Sequence, residues 1–205
     1  MTGASPSVLE RGQEREAADA LVASHADYPA FRHVFRDTDR RLRALRPFFT
    51  ATIRDAIPFR HALAVRDAGR TVGTAVWLPP GAFPWSGRRK ARATPEFLGV
   101  LAADPTAFRT FMRYGANAEH AHPTESHWYL VVLGVRPDAQ RRGFGTELVT
   151  PVLDRADAVR LPCLLETSDR ANVAYYERFG FAVVDDALAL VPDGPTHVAM
   201  RRAPR

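Results

Sequence analysis

The chain has 205 residues, with 28 Lys and Arg against 23 Asp and Glu, for a formal net charge of +5 with neutral histidines. That length suits one domain, taken as residues 1–205, with a substantial core. No apolar run is long enough to cross a bilayer, and a single cysteine, Cys163, excludes a disulfide framework.

Cys163 sits in the apolar block PCLLE and reads as a small buried hydrophobe. The N-terminal MTGASPSVLERGQERE has no apolar signal core, so a cytoplasmic location is expected, with no membrane partner. The basic excess falls in short clusters such as Arg88-Arg89-Lys90 and Arg141-Arg142 rather than in a stripe. No nucleic-acid motif is readable, so no nucleic-acid partner is expected.

In chain order, residues 1–8 read as a loose end. Glu10 to Ser24 has Ala17, Ala18, Leu21 and Val22 on one face and reads as a helix. Tyr28-Pro29 marks a turn. Asp37 to Ile53 reads as a second helix, with Asp37 or Thr38 as its cap and a kink or break expected at Pro47. His61 to Arg66 and Arg70 to Leu78 read as two strands joined through Asp67-Ala68-Gly69. Residues 79–95, rich in Pro and Gly, read as a long loop of functional interest. Pro95 to Ala103 and Thr106 to His120 read as helices, with Phe108, Phe111, Met112 and Tyr114 facing inward.

His127 to Val135 is nearly all apolar, as expected of a strand covered on both faces. Gly143 to Val159 repeats apolar residues at close to 3.6 positions and reads as a helix, bent at Pro151. Pro162 to Glu166 is a short strand. Asn172 to Phe179 is a short helix capped by Gly180. Phe181 to Val184 and Thr196 to Arg201 complete the strands. Helices alternate with strands, yet hairpins occur, which defines a mixed α/β sheet.

The chemistry concentrates in QRRGFG, Gln140 to Gly145, between the apolar strand and the helix after it. A helix start offers free N–H groups, glycines let the backbone approach closely, and two arginines add charge, a combination suited to a pyrophosphate. Neither standard phosphate motif fits. There is no Gly-Lys-Ser/Thr, and no third glycine follows Gly143 and Gly145 at the dinucleotide spacing.

Gln140-Arg141-Arg142-Gly143-Phe144-Gly145 resembles the Q/R-x-x-G-x-G/A signature of the GNAT superfamily of N-acetyltransferases. Leu133-Gly134-Val135-Arg136-Pro137 resembles that family's exit from its fourth strand. Leu165-Glu166-Thr167-Ser168 and the run from Asn172 to Phe181 resemble its fifth strand and the helix that follows. A wider likeness extends to the puromycin-acetylating members, departing most between Gly81 and His122, where a basic and aromatic insert occurs.

The resemblance implies a mostly antiparallel central sheet flanked by helices and splayed between the fourth and fifth strands, with residues 127–184 as the acetyl-CoA-binding core. It implies acetyl-CoA as cosubstrate, no metal, and a primary amine of a small molecule as acceptor, with an aminonucleoside such as puromycin in view. The backbone of Leu133, Gly134 and Val135 would pair with the pantetheine arm. N–H groups from Arg141, Arg142, Gly143, Phe144, Gly145 and Thr146 would hold the pyrophosphate, and Asn172 would lie along the pantetheine. Tyr176 matches the family's general acid. The fourth-strand carboxylate of many relatives is replaced by Val131 and Val132, so the base is Glu166 first, then Glu125 and His127. Tyr28, Phe31, Trp77, Trp85 and Trp128 are candidates to line the acceptor site. Glu119-His120-Ala121-His122 fits no zinc spacing. A protein or peptide amine as acceptor, or an inactive CoA-binding sensor, are the alternatives. Whether the chain acts as monomer or homodimer is open.

Overall fold

The computed structural model describes residues 5–205. Ser7–Val8 (β1) pairs with Ala64 and Leu63, anchored by the buried Leu9. The end of the segment expected to be loose is therefore tied to the sheet, while residues 1–4 lie outside the described part. The first helix, Glu14–His25 (α1), starts later than expected because Gly12 turns with φ 95° and its N–H is taken by the Glu14 carboxylate. At the expected turn, Pro29 instead opens a short helix, Pro29–Val34 (α2), where its fixed φ suits the first position.

Thr38–Ala56 (α3) is capped as expected, Asp37 accepting the Arg40 N–H at 2.8 Å. The helix runs through Pro47 rather than ending there. Ala62–Asp67 (β2) and Arg70–Leu78 (β3) form a hairpin whose two-residue loop, Ala68 and Gly69, has positive φ at both positions. Within the expected loop 79–95, Ser86 caps a short helix, Gly87–Arg92 (α4). The Arg89 guanidinium clasps the Asp55 carboxylate and folds this segment onto α3.

Thr94–Ala103 (α5) and Phe108–Ala121 (α6) follow, the turn between them held by Asp104, which accepts the Thr106 and Ala107 N–H groups. Phe111 is buried as expected. Met112 was expected inward and is 43% exposed, because one step along a helix is about 100° around it. Trp128–Val135 (β4), Phe144–Ala158 (α7), Cys163–Thr167 (β5), Val173–Glu177 (α8), Ala182–Leu188 (β6) and His197–Arg202 (β7) complete the chain. Cys163 is buried, as its apolar block suggested.

The seven strands form one sheet in the order β1-β2-β3-β4-β5-β7-β6. Every pair is antiparallel except β4 and β5. Those two touch only at Trp128 opposite Cys163 and Tyr129 opposite Leu164, and then diverge. Just beyond, the β3–β4 register slips, leaving Val131 as an extra residue on β4. Such a bulge bends its strand and increases twist, which drives the divergence. The expected sheet, splayed between fourth and fifth strands, is what the structure has.

α7 covers one face, burying Phe144, Leu148 and Val152 against Trp77, Leu130 and Leu165. α1 and α3 cover the other, with Leu21, Leu45, Phe49 and Ile53 against Val76 and Leu78. A third cluster, including Phe35, Val100 and Phe111, fastens α5 and α6 to α2 and α3. Burying each large side chain contributes about 1.5–3 kcal/mol.

Candidate active site

The parting of β4 and β5 leaves the β4 edge from Val131 to Val135 without a strand partner on that side. Its other edge is paired to β3, with Gly73, Thr74 and Ala75 opposite Val135, Gly134 and Leu133. Gly134 is required there by α1. A Cβ at this position would fall 2.0 Å from Ser24 Oγ and 2.9 Å from Leu21 Cδ2.

Past β4, the turn into α7 takes two left-handed residues, Arg141 with φ 61° and Gly143 with φ 91°. Nothing lies within 4 Å of a Cβ built on Gly143, so its requirement is purely conformational. Gly145 is constrained by space instead, since its Cβ would meet the Tyr175 hydroxyl at 2.5 Å. Phe144 is a core side chain, so only its backbone is available to a ligand. Thr146 is exposed on the first turn of α7. Arg141 is exposed. Arg142 is paired with Asp67 at 2.8 Å and lies over the Phe144 ring, so it comes to any anion already engaged. This turn, with its free helix N–H groups and room for close approach, has the geometry a pyrophosphate needs.

Under the splay lies a cavity of about 560 Å³. Glu166, Tyr176, Asn172, Leu133 and Tyr28 all line it. Glu166 is on β5, paired opposite Ala199 of β7. Burial pushes its carboxyl up from 4.5 to about 7, an effect the Tyr129 hydroxyl partly offsets. The side chain keeps some accessible surface because it faces this cavity rather than bulk water.

Tyr176, 8% exposed, is held on α8 by ring packing on Tyr175 and Phe181, at 5.2 and 5.9 Å between centroids. Burial raises its phenol well above the usual value, so it carries its proton at neutral pH. Asn172 Nδ2 donates to Thr167 Oγ1 at 3.2 Å. The Tyr28 hydroxyl accepts the Ser168 N–H at 2.7 Å and donates to Thr167 Oγ1 at 3.3 Å, pinning the start of α2 to the end of β5.

Four candidates from the sequence fall elsewhere. Trp77 is fully buried between the sheet and α7, because β3 is a central strand and its side chain points to the covered face. Trp128 shares that core. Glu125 is an exposed loop residue paired with Arg201 at 3.0 Å. His127 is buried outside the cavity. Its Nδ1 donates to the Glu125 carbonyl at 2.7 Å, and its Nε2 shares a 2.9 Å hydrogen bond with His122 Nε2. In the Glu119–His122 run, Glu119 is paired with Lys90, and no metal-holding cluster of three such side chains occurs among the described residues.

Several cavity residues were not among the site candidates read from the sequence. Tyr114 shares a 2.9 Å hydrogen bond with His197 Nε2, and Tyr129 flanks Glu166. His197 lies on the face of β7 that Ala199 shares with Glu166, two residues along. Alternation within β7 was readable, but which strand lies beside β5 was not.

The family profile of the acetyltransferase (GNAT) family matches residues 24–181, and the chain belongs to that family. An uncharacterized N-acetyltransferase of Schizosaccharomyces pombe is 24% identical over 84% of this chain and 72% of its own length. A mycothiol acetyltransferase of Streptomyces scabiei is 28% identical over 89% of this chain and 68% of its own. Among solved structures, one described as histone acetyltransferase HPA2 and related acetyltransferase, from Corynebacterium glutamicum, superposes with a TM-score of 0.69 at 23% identity, covering 98% of this chain and 97% of that one. Arylalkylamine N-acetyltransferase 2 of Aedes aegypti superposes at 0.59 with 11% identity over the full length of both chains. These two structures speak to the fold. The chain is an acyltransferase, and its family's cosubstrate is acetyl-CoA. No helix of the described residues is long and apolar enough to cross a membrane.

Proposed function

We propose that this protein transfers an acetyl group from acetyl-CoA to a primary amine of a small molecule, with Glu166 as base and Tyr176 as acid. The carrying observation is that both side chains open into one cavity beneath the β4–β5 splay. The residues present suit the cosubstrate. The unpaired β4 edge at Leu133–Val135 offers main-chain partners to a pantetheine arm, and the left-handed turn at Arg141 and Gly143 offers N–H groups to a pyrophosphate. Acetyl-CoA supplies an activated acyl carbonyl.

Glu166, raised to about 7, is matched to accept a proton from an ammonium at neutral pH. Tyr176 gives its proton to the departing sulfur. An N–H at Val135 or its neighbours faces the developing oxyanion. Tyr28, bridging α2 and β5, frames the acceptor side. The cavity is roofed by α3, α5 and α6, which favours a small molecule over a protein chain.

The sequence likeness makes an aminonucleoside such as puromycin a first acceptor to try. The test is release of free thiol from acetyl-CoA across a panel of amines that includes puromycin, with mass detection of product. A product gaining one acetyl group supports the proposal; CoA binding without product from any amine supports a sensor instead.

A further inference from the structure

The cavity has two chemically different ends. At the sheet end stand Glu166, Tyr176 and the Tyr114–His197 pair. At the other end α3, α5 and α6 present Phe48, Phe97, Phe108 and Phe111, with Trp85 beside them. These rings pack on one another, Phe48 to Phe111 at 5.2 Å and Trp85 to Phe97 at 6.3 Å, into a continuous aromatic wall. Most of that wall comes from the insert between Gly81 and His122.

Charge is sparse in this space. Among the described residues, Lys90, Glu119 and Glu166 are the only Lys, Arg, Asp or Glu side chains lining it, and Lys90 is paired with Glu119 at 2.6 Å. His25 and His197 also line it, and burial holds both neutral, each lowered to about 4. Among the described residues, Glu166 is thus the one carboxylate of this largely apolar chamber without a cationic partner. Leu98 and Met112 line the same cavity and are 57% and 43% exposed, large apolar side chains left open to solvent where the chamber meets it. Exposed apolar surface at a cavity mouth marks a place that something apolar covers.

We infer that the acceptor is a primary amine at the end of an extended apolar or aromatic body, with its nitrogen at Glu166 and its body lodged between α3, α5 and α6. This rests on the acetyl-transfer proposal above. A cavity of about 560 Å³ takes such a molecule whole. A polyamine is disfavoured. Its distal ammonium finds no free carboxylate among the rings and meets Lys90, and burying an unpaired charge is costly. A lysine-bearing peptide is disfavoured too, since helix faces offer its main chain no open strand edge.

The test is calorimetric binding of amines to the protein saturated with CoA, which needs no turnover. Straight-chain primary amines of increasing length are expected to tighten about three- to fourfold per methylene, as each buries one more CH₂ in the chamber. A phenylalkylamine is expected to bind at least tenfold more tightly than spermidine or a lysine peptide. The double variant Leu98→Glu with Met112→Glu changes two exposed positions. It is expected to weaken the phenylalkylamine at least tenfold while CoA affinity stays unchanged, which also certifies the fold. Affinity that is flat along the series, preference for spermidine or the peptide, or an unaffected double variant would each overturn the inference. Failure of the acetyl-transfer proposal is seen separately, as absent CoA binding or as bound amines that are never acetylated.

Discussion

Replacing Glu166 by Gln tests the base and its environment together. Burial lifts the folded carboxyl from 4.5 to about 7. Between those two values the folded chain keeps a proton that the unfolded chain has lost, so stability falls as pH rises through that window and levels off above it. The difference, at about 1.4 kcal/mol for each tenfold step, amounts to roughly 3 kcal/mol, an upper bound because water in the cavity eases the desolvation. Glutamine has no charge to bury. The variant should lack the downward slope between pH 4.5 and 7 and should be the more stable protein at pH 8. For a chain this long, 3 kcal/mol corresponds to about 6–12 °C in melting temperature. The same substitution should remove the acid limb near pH 7 from kcat/KM, measured with an amine of pKa about 10 that titrates separately. Melting curves and rate profiles from pH 4.5 to 9 check both. Parallel stability curves for wild type and variant, with the acid limb intact, would refute the buried-base assignment.

Tyr176→Phe keeps the ring packing on Phe181, so it should leave CoA affinity intact while lowering kcat by about 10²–10⁴-fold; unchanged turnover in single-turnover kinetics would remove Tyr176 from the chemistry. Gly143→Ala meets no neighbour but forces an alanine to φ 91°, costing about 1–2 kcal/mol in thermal or denaturant unfolding. Calorimetry should show CoA affinity falling as well, and normal affinity would mean the pyrophosphate is held elsewhere. Arg202, 3% exposed, makes two hydrogen bonds to Asp157 at 2.7 and 2.6 Å. Asp157→Ala leaves that guanidinium buried without its carboxylate and should cost about 3 kcal/mol in urea unfolding. The Arg202 side chain holds the Asp157 carboxyl below its ordinary value, so its contribution is present above that value and is lost as pH falls through the lowered one.

Much of the chemistry was legible in linear order. Helices came from apolar periodicity, the α3 cap from Asp37, and the anion-suited turn from two glycines and two arginines ahead of a helix. Such features depend on neighbours a few residues apart, which is what a sequence records. Tyr176 and Glu166 entered through resemblance, and the fold brought both to one cavity.

Tertiary structure alone decided the rest. Trp77, Glu125 and His127 are as polar or aromatic on paper as Tyr28, Tyr114 and Tyr129, yet the first three point into the core, into solvent or into a local histidine pair. A side chain's direction depends on which face of its strand is covered, and that is set by helices distant in sequence. The Val131 bulge that opens the sheet is a mismatch between two strands, not a property of either one. The α5–α6 hairpin, part of the basic and aromatic insert of the sequence, acquired meaning only when its aromatic face closed over the cavity beside Glu166. Local propensity determined the elements and the glycine turn before α7; packing between elements far apart in the chain determined which carboxylate became buried and what surrounds it.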